Sequence, residues 1–118
     1  VLIFVDEINR FVPQSGFRRS AVAEHIMRTI VTGRSRGSIL FSAQQFKSTV
    51  DPALHEGTGL HLMAKLGVNE LSAPPYSMID ESTKANIVRL SKGELVMVHP
   101  ALLHPIKIAF PKVPFKTS

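Results

Sequence analysis

An α/β fold, with parallel strands flanked by helices and a closing β-hairpin, is what this sequence predicts, and three observations predict it. Val1–Val5 and Ile39–Phe41 are short apolar runs, the kind that make strands buried on both faces inside a parallel sheet. Between them Val22, Ala23, Ile26, Met27, Ile30 and Val31 recur at helical spacing. Near the end, Glu94–Val98 and Leu103–Phe110 read as two strands joined around Pro100. Strands alternating with helices build a sheet with helical layers.

Each element has its own local signal. The first strand ends at Asp6-Glu7-Ile8-Asn9-Arg10, and a loop with Pro13, Gln14, Ser15 and Gly16 follows. The periodic segment predicts a helix over about 18–32, with Val22, Ile26 and Ile30 as its core stripe and Gly33 as C-cap. The second strand runs into Ser42-Ala43-Gln44-Gln45. Asp51-Pro52 pairs an N-cap residue with proline at the first helical position, so a short helix starts there. Leu60–Leu66 alternates as a third strand, 69–78 with Pro74-Pro75 reads as a loop, and Asp80–Leu90 reads as a helix stopped near Gly93. Residues 111–118 read as a loose tail.

Composition bounds the function. The chain has 118 residues, 44% hydrophobic and 19% charged, which is one domain with enough apolar material for a core. Cysteine is absent, removing disulfides, thiolate zinc sites and thiol nucleophiles. No run approaches the ~20 apolar residues of a membrane span, and no signal segment opens the chain. A strand of this kind at the front predicts that the chain is a piece of a longer one.

Ligands of open α/β sheets bind at the carboxyl ends of strands, where Asp6 and Glu7 stand. Asp6 suits Mg²⁺, a hard cation that prefers oxygen, directly or through its water shell. Glu7 suits a general base that polarises an attacking water. Alternatively the two acids simply solvate a strand end. Arg10, Arg18, Arg19, Arg28, Arg34 and Arg36 fall within 27 residues opposed only by Glu24, within a chain of net charge +5. Such a cluster suits phosphate contacts, and Arg18, Arg19 and Arg28 are candidates for a nucleic-acid backbone; a solvated helix face is the other reading. With one tyrosine and no tryptophan there is no aromatic stacking platform. His25, His55, His61, His99 and His104 lack metal-motif spacing, and no serine sits in a nucleophile elbow.

Taken in order, VLIFVDE, GRSRG, ILFSAQQ and VDPAL, followed by LSKGELVMVHPALLHPIKIAF, resemble the P-loop ATPases of the HerA/FtsK group, over nearly the whole chain. The resemblance implies the C-terminal portion of a single RecA-like ATPase domain spanning 1–118. It implies Asp6 as the Walker B acid on Mg²⁺ and Glu7 as the base for water attack on the γ-phosphate of ATP. Gln45 becomes the γ-phosphate sensor. Arg34, and second Arg36, become phosphate contacts within the subunit or across a subunit boundary. It further implies DNA as partner, a homohexamer of the full-length protein, a nuclease as an additional partner, and a prokaryotic cytoplasmic setting.

The chain departs from that pattern in four places. Ile8-Asn9 replaces Ala-His after the acids, and Asn9 could hydrogen-bond Glu7 or the nucleotide's water. Gln44 replaces threonine before the sensor, and Phe46-Lys47 replaces Arg-Pro after it. No Gly-x-x-x-x-Gly-Lys-Ser/Thr occurs, so the chain alone is expected neither to bind ATP tightly nor to hydrolyse it. The strand carrying that loop would lie between Ile39–Ala43 and Leu60–Leu66. Its place is expected to be closed by direct strand pairing, by another copy or by further segments. The rival readings are a module that binds nucleic acid or an acidic partner without catalysis, and a nucleotide-binding regulator that never hydrolyses.

Overall fold

The computed structural model describes residues 1–14, 20–112 and 114–115, and at Arg34 the backbone only. The chain forms two compact units, Val1–Thr58 and Gly59–Ser118.

In the first unit β1 (Leu2–Val5) and β2 (Ile39–Ser42) pair in parallel, Leu2 opposite Ile39 and Val5 opposite Ser42. The connection is α1 (Ala21–Thr32), whose N-terminus is capped by the Ser20 hydroxyl accepting from the Ala23 N–H. Ala23 and Ile26 are buried with Ile8, Val12, Val50 and Leu54, and Val5, Met27, Ile30 and Leu40 pack on that core. Val22, expected in the stripe, is half exposed, so the buried stripe is centred on Ala23 and Ile26. Gly33 caps α1 in ordinary helical geometry, and the left-handed residue is Gly37, φ 67°, which turns the chain into β2. The short α2 (Pro52–Glu56) begins as its Asp-Pro signal predicts, with the Asp51 carboxylate accepting from the Ala53 N–H at 2.9 Å. Gly57 lets α2 approach α1 closely: a Cβ there would stand 2.3 Å from Ile30 Cγ2.

β1 is buried on one face only. Leu2 and Phe4 are 67% and 69% exposed, and Ile39 and Phe41 beside them 59% and 52%. The expectation of double burial fails because α1 covers a single face of this two-stranded sheet, the one that carries Val5 and Leu40.

In the second unit β3 (His61–Met63), β4 (Glu94–Val98) and β5 (Ile106–Ala109) form an antiparallel sheet in that order. β5 starts later than expected, since Pro105 has no N–H for the ladder and Leu103 is exposed. The expected loop at 69–78 holds α3 (Val68–Leu71) and a 3-10 turn at Pro74–Tyr76. Leu71 and Tyr76 anchor these pieces in a core with Met63, Ile87, Leu90 and Val96, and the Tyr76 hydroxyl donates to Glu70 Oε1 at 2.8 Å. Proline at the first position of a helical turn starts it rather than breaking it. α4 (Glu81–Val88) is capped by Asp80, whose carboxylate accepts from the Thr83 N–H and from the Ser82 and Thr83 hydroxyls. Within the first unit β2 is bonded to β1, and within the second β3 is bonded to β4.

Candidate functional site

Three backbone hydrogen bonds build the carboxyl end of the parallel pair. The Ala43 N–H donates to the Val5 carbonyl at 3.0 Å, extending the ladder past Ser42. The Ala43 carbonyl in turn accepts from the Ile8 N–H at 3.1 Å, which pins the 3-10 turn Ile8–Arg10 to the end of β2. The Asp51 N–H donates to the Val12 carbonyl at 2.9 Å, so the segment after Gln45 returns to the segment after Glu7. Asp6-Glu7 and Gln44-Gln45 thus leave the same end of one sheet.

The acids differ in setting. Asp6 Oδ1 accepts from the Glu7 N–H at 2.8 Å, an arrangement that leaves Oδ2 as an oxygen ligand. Glu7 occupies the left-handed region, φ 49° and ψ 51°, alone among the described non-glycine residues. A residue other than Gly, Asn or Asp there is strained, and such strain concentrates at functional sites. Its carboxylate is held by Arg10, Nε to Oε2 2.7 Å, on the turn that follows. Asn9 is half-buried on the same turn.

Gln45 is exposed, whereas the Gln44 Oε1 is buried without a hydrogen-bond partner among the described residues. Buried acceptors are normally satisfied, so this one is an exception among the described residues. Beyond it, burial lowers the pKa of Lys47. Burial first, and then the nearby Lys47 charge, lower that of His55 on α2. The sequence motifs gave no sign of Glu7's backbone, the Arg10 clasp or the half-buried Lys47–His55 neighbourhood. The one available hint was Arg10 standing three residues after Glu7.

The arginines of the Gly-rich turn lie elsewhere. Gly37 accepts from the Val1 nitrogen at 2.9 Å, so Gly33–Gly37 sits at the start of β1, while Asp6 follows its end. Five strand residues at ~3.3 Å separate the two ends by roughly 16 Å. Arg36 and Arg28 instead line a common cleft at the Val1 end. Arg34 is placed by its backbone in that same turn. Arg18 and Arg19 fall outside the described residues.

Among the described residues no group of three or more acids or histidines gathers around a point. Asp6 fits a Mg²⁺ held through water, which needs one oriented carboxylate oxygen and further oxygens from phosphate. No helix of the described residues is long and apolar enough to cross a membrane.

No protein-family model matches the sequence, and no curated protein does. Solved structures do match. The genome packaging NTPase B204 from Sulfolobus turreted icosahedral virus 2, in complex with ATP-gammaS, aligns over 95% of this chain and 52% of its own, with TM-score 0.71 and 13% identity. The same protein with sulfate gives TM-score 0.72 at 14% identity, again covering 95% and 52%, and with AMPPCP 0.69 at 14% over the same shares. The chain spans about half the length of these structures. It has the α/β fold of part of a P-loop NTPase.

Proposed function

We propose that the chain is the Walker B and sensor half of a HerA/FtsK-type ATPase domain that couples Mg-ATP hydrolysis to DNA translocation in an oligomer, a hexamer in the full-length protein. The observation that carries this reading is the Ile8–Ala43 hydrogen bond, which sets the acids and Gln45 at one sheet end. The solved neighbour with this fold is a genome packaging NTPase, seen with ATP-gammaS and AMPPCP, and this supports a nucleotide-driven motor.

In this reading Asp6 Oδ2 orients the Mg²⁺ water shell, and the cation supplies charge neutralisation at the phosphates. Glu7 takes the proton of the attacking water; a positioned base is worth roughly 10²–10⁴-fold. Gln45 orients that water or reads the γ-phosphate. The Arg10 clasp keeps the Glu7 carboxylate aimed until nucleotide arrives. Arg34 stands ~16 Å along the strand from Asp6, so it serves the nucleotide of a neighbouring copy, the in-trans role that is worth about 10³–10⁵ in rate. The phosphate loop, absent from these 118 residues, comes from elsewhere in the ATPase.

The test is Glu7→Gln in the ATPase that contains this chain. Turnover drops by at least about 100-fold while ATP still binds; unaltered turnover would falsify the role of Glu7.

A further inference from the structure

The parallel ladder changes step at Glu7. Leu2 lies opposite Ile39 and Val5 opposite Ser42, and one pairing rule holds at both ends. The Ile39 N–H donates to the Val1 carbonyl at 2.8 Å, and the Ala43 N–H to the Val5 carbonyl at 3.0 Å. Continued by one residue, this register gives the Ala43 carbonyl to the Glu7 N–H. The Ala43 carbonyl instead accepts from the Ile8 N–H at 3.1 Å. Glu7 is therefore an extra residue at the end of the ladder, a bulge. It carries the left-handed backbone, φ 49°, that one class of bulge reserves for glycine.

The displaced N–H donates to Asp6 Oδ1 at 2.8 Å. A hydrogen bond to a carboxylate is roughly twice as strong as a neutral one, so this bond offsets the strain of a non-glycine residue at positive φ. The Arg10 pair offsets little, because Glu7 is half exposed and Arg10 largely so. Ile8, fully buried in the core, is the competing cause, since its anchorage also draws the chain off the strand. The bulge decides where the second acid goes. In a continued strand Glu7 would follow Asp6 on the opposite face of the sheet. Taken out of that alternation, Glu7 joins the turn Ile8–Arg10. Its carbonyl accepts from the Arg10 N–H at 2.9 Å, and its Oε2 meets Arg10 Nε.

We propose that Asp6 is a positioning residue for Glu7: its Oδ1 draws the Glu7 N–H out of the ladder and fixes the bulge that hands the Glu7 carboxylate to the turn. One carboxylate then divides its oxygens, with Oδ1 on its neighbour's backbone and Oδ2 left for the water shell of a cation. That the side chain so placed is a base rests on the ATPase reading; the bulge and its cause do not.

Scalar couplings across hydrogen bonds, between backbone nitrogen and carbonyl carbon, test it by NMR on the 118-residue chain. The parent couples the Ile8 nitrogen with the Ala43 carbonyl carbon, and the Glu7 amide shows the strong contact with its own Hα that positive φ produces. Asp6→Asn keeps an acceptor at Oδ1 and keeps both signals. Asp6→Ala, at an exposed position, removes the acceptor. The balance then moves at least about tenfold toward the regular register, the worth of a hydrogen bond to a charged group. The coupling to Ala43 passes to the Glu7 nitrogen, and the Arg10 Nε–H signal loses its partner. Asp6→Ala combined with Glu7→Gly restores the Ile8 coupling, because glycine needs no offset. An Ile8–Ala43 coupling undiminished in Asp6→Ala assigns the bulge to the burial of Ile8 and overturns the proposal. Equal loss in the asparagine and alanine variants overturns it as well. Turnover of Glu7→Gln tests the base and these spectra test its placement, so either can fail alone.

Discussion

Glu7 carries two features in one residue: a carboxylate held by Arg10 and a backbone in the left-handed region. Strain of this kind costs on the order of 1–3 kcal/mol, and glycine would relieve most of it. The ion pair with Arg10 is solvent-exposed on both sides, so its loss costs well under about 1 kcal/mol. Glu7→Gly is therefore expected to stabilise the chain by about 1 kcal/mol while removing the proposed base. Urea unfolding of the two chains checks this, and a destabilised glycine variant would show that the left-handed backbone is not a source of strain. The identity of the acids was legible because they end an apolar run. Their geometry was not, since glutamate gives no sequence signal for positive φ. Arg10 was read only as one member of a basic cluster, because an ion pair across a single turn competes with many equivalent arrangements on paper.

At the scale of elements, what was legible is what repeats or caps. Of the expected α1 stripe, Ala23, Ile26, Met27 and Ile30 pack in or on the core while Val22 and Val31 are exposed; the Asp51-Pro52 start of α2 and the Asp80 start of α4 rest on local signals and stand in the structure. The short α3 was missed because four residues cannot display a period, and its burial depends on Leu71 meeting a core built by distant strands. Two of these elements carry titrating groups with opposite reach. Asp80 is held at about pKa 2 by the Ser82 and Thr83 hydroxyls, so its contribution to α4 is complete above its ordinary 3.8 and lost only as pH falls toward 2. His55 is different. Burial, then the Lys47 charge, lower its pKa below 6.5, against the pull of Asp51 and the Lys47 and Val50 carbonyls. The unfolded chain then binds a proton that the folded chain refuses, so stability is complete above pH 6.5 and falls as pH drops through the lowered value. Unfolding midpoints in urea should decline between pH 7.5 and 5, and His55→Gln should flatten that decline. A wild-type midpoint that stays level across this interval would remove His55 from the account.

The whole molecule presents one surface that its own first unit does not cover. Leu2, Phe4, Ile39 and Phe41 form a continuous apolar face, since the register sets Leu2 beside Ile39 and Phe4 beside Phe41. Parallel sheets are ordinarily covered on both faces, because their strands have no polar alternation to offer water. The unbroken run Val1–Val5 therefore encodes a sheet layer that α1 satisfies on one side only, and this is why the expected double burial was a sound inference about the strand and a wrong one about this chain. An exposed patch of four large side chains promotes association in water. Phe4→Thr with Phe41→Thr retains β-propensity and removes the two aromatic rings. Because both rings are largely exposed, the exchange should cost no more than about 1 kcal/mol, the worth of a cross-strand aromatic pair. The doubly substituted chain should sediment with a smaller concentration dependence than the parent at an almost unchanged thermal midpoint. A midpoint that collapses instead would mean that these rings are core residues and that the face is covered in solution.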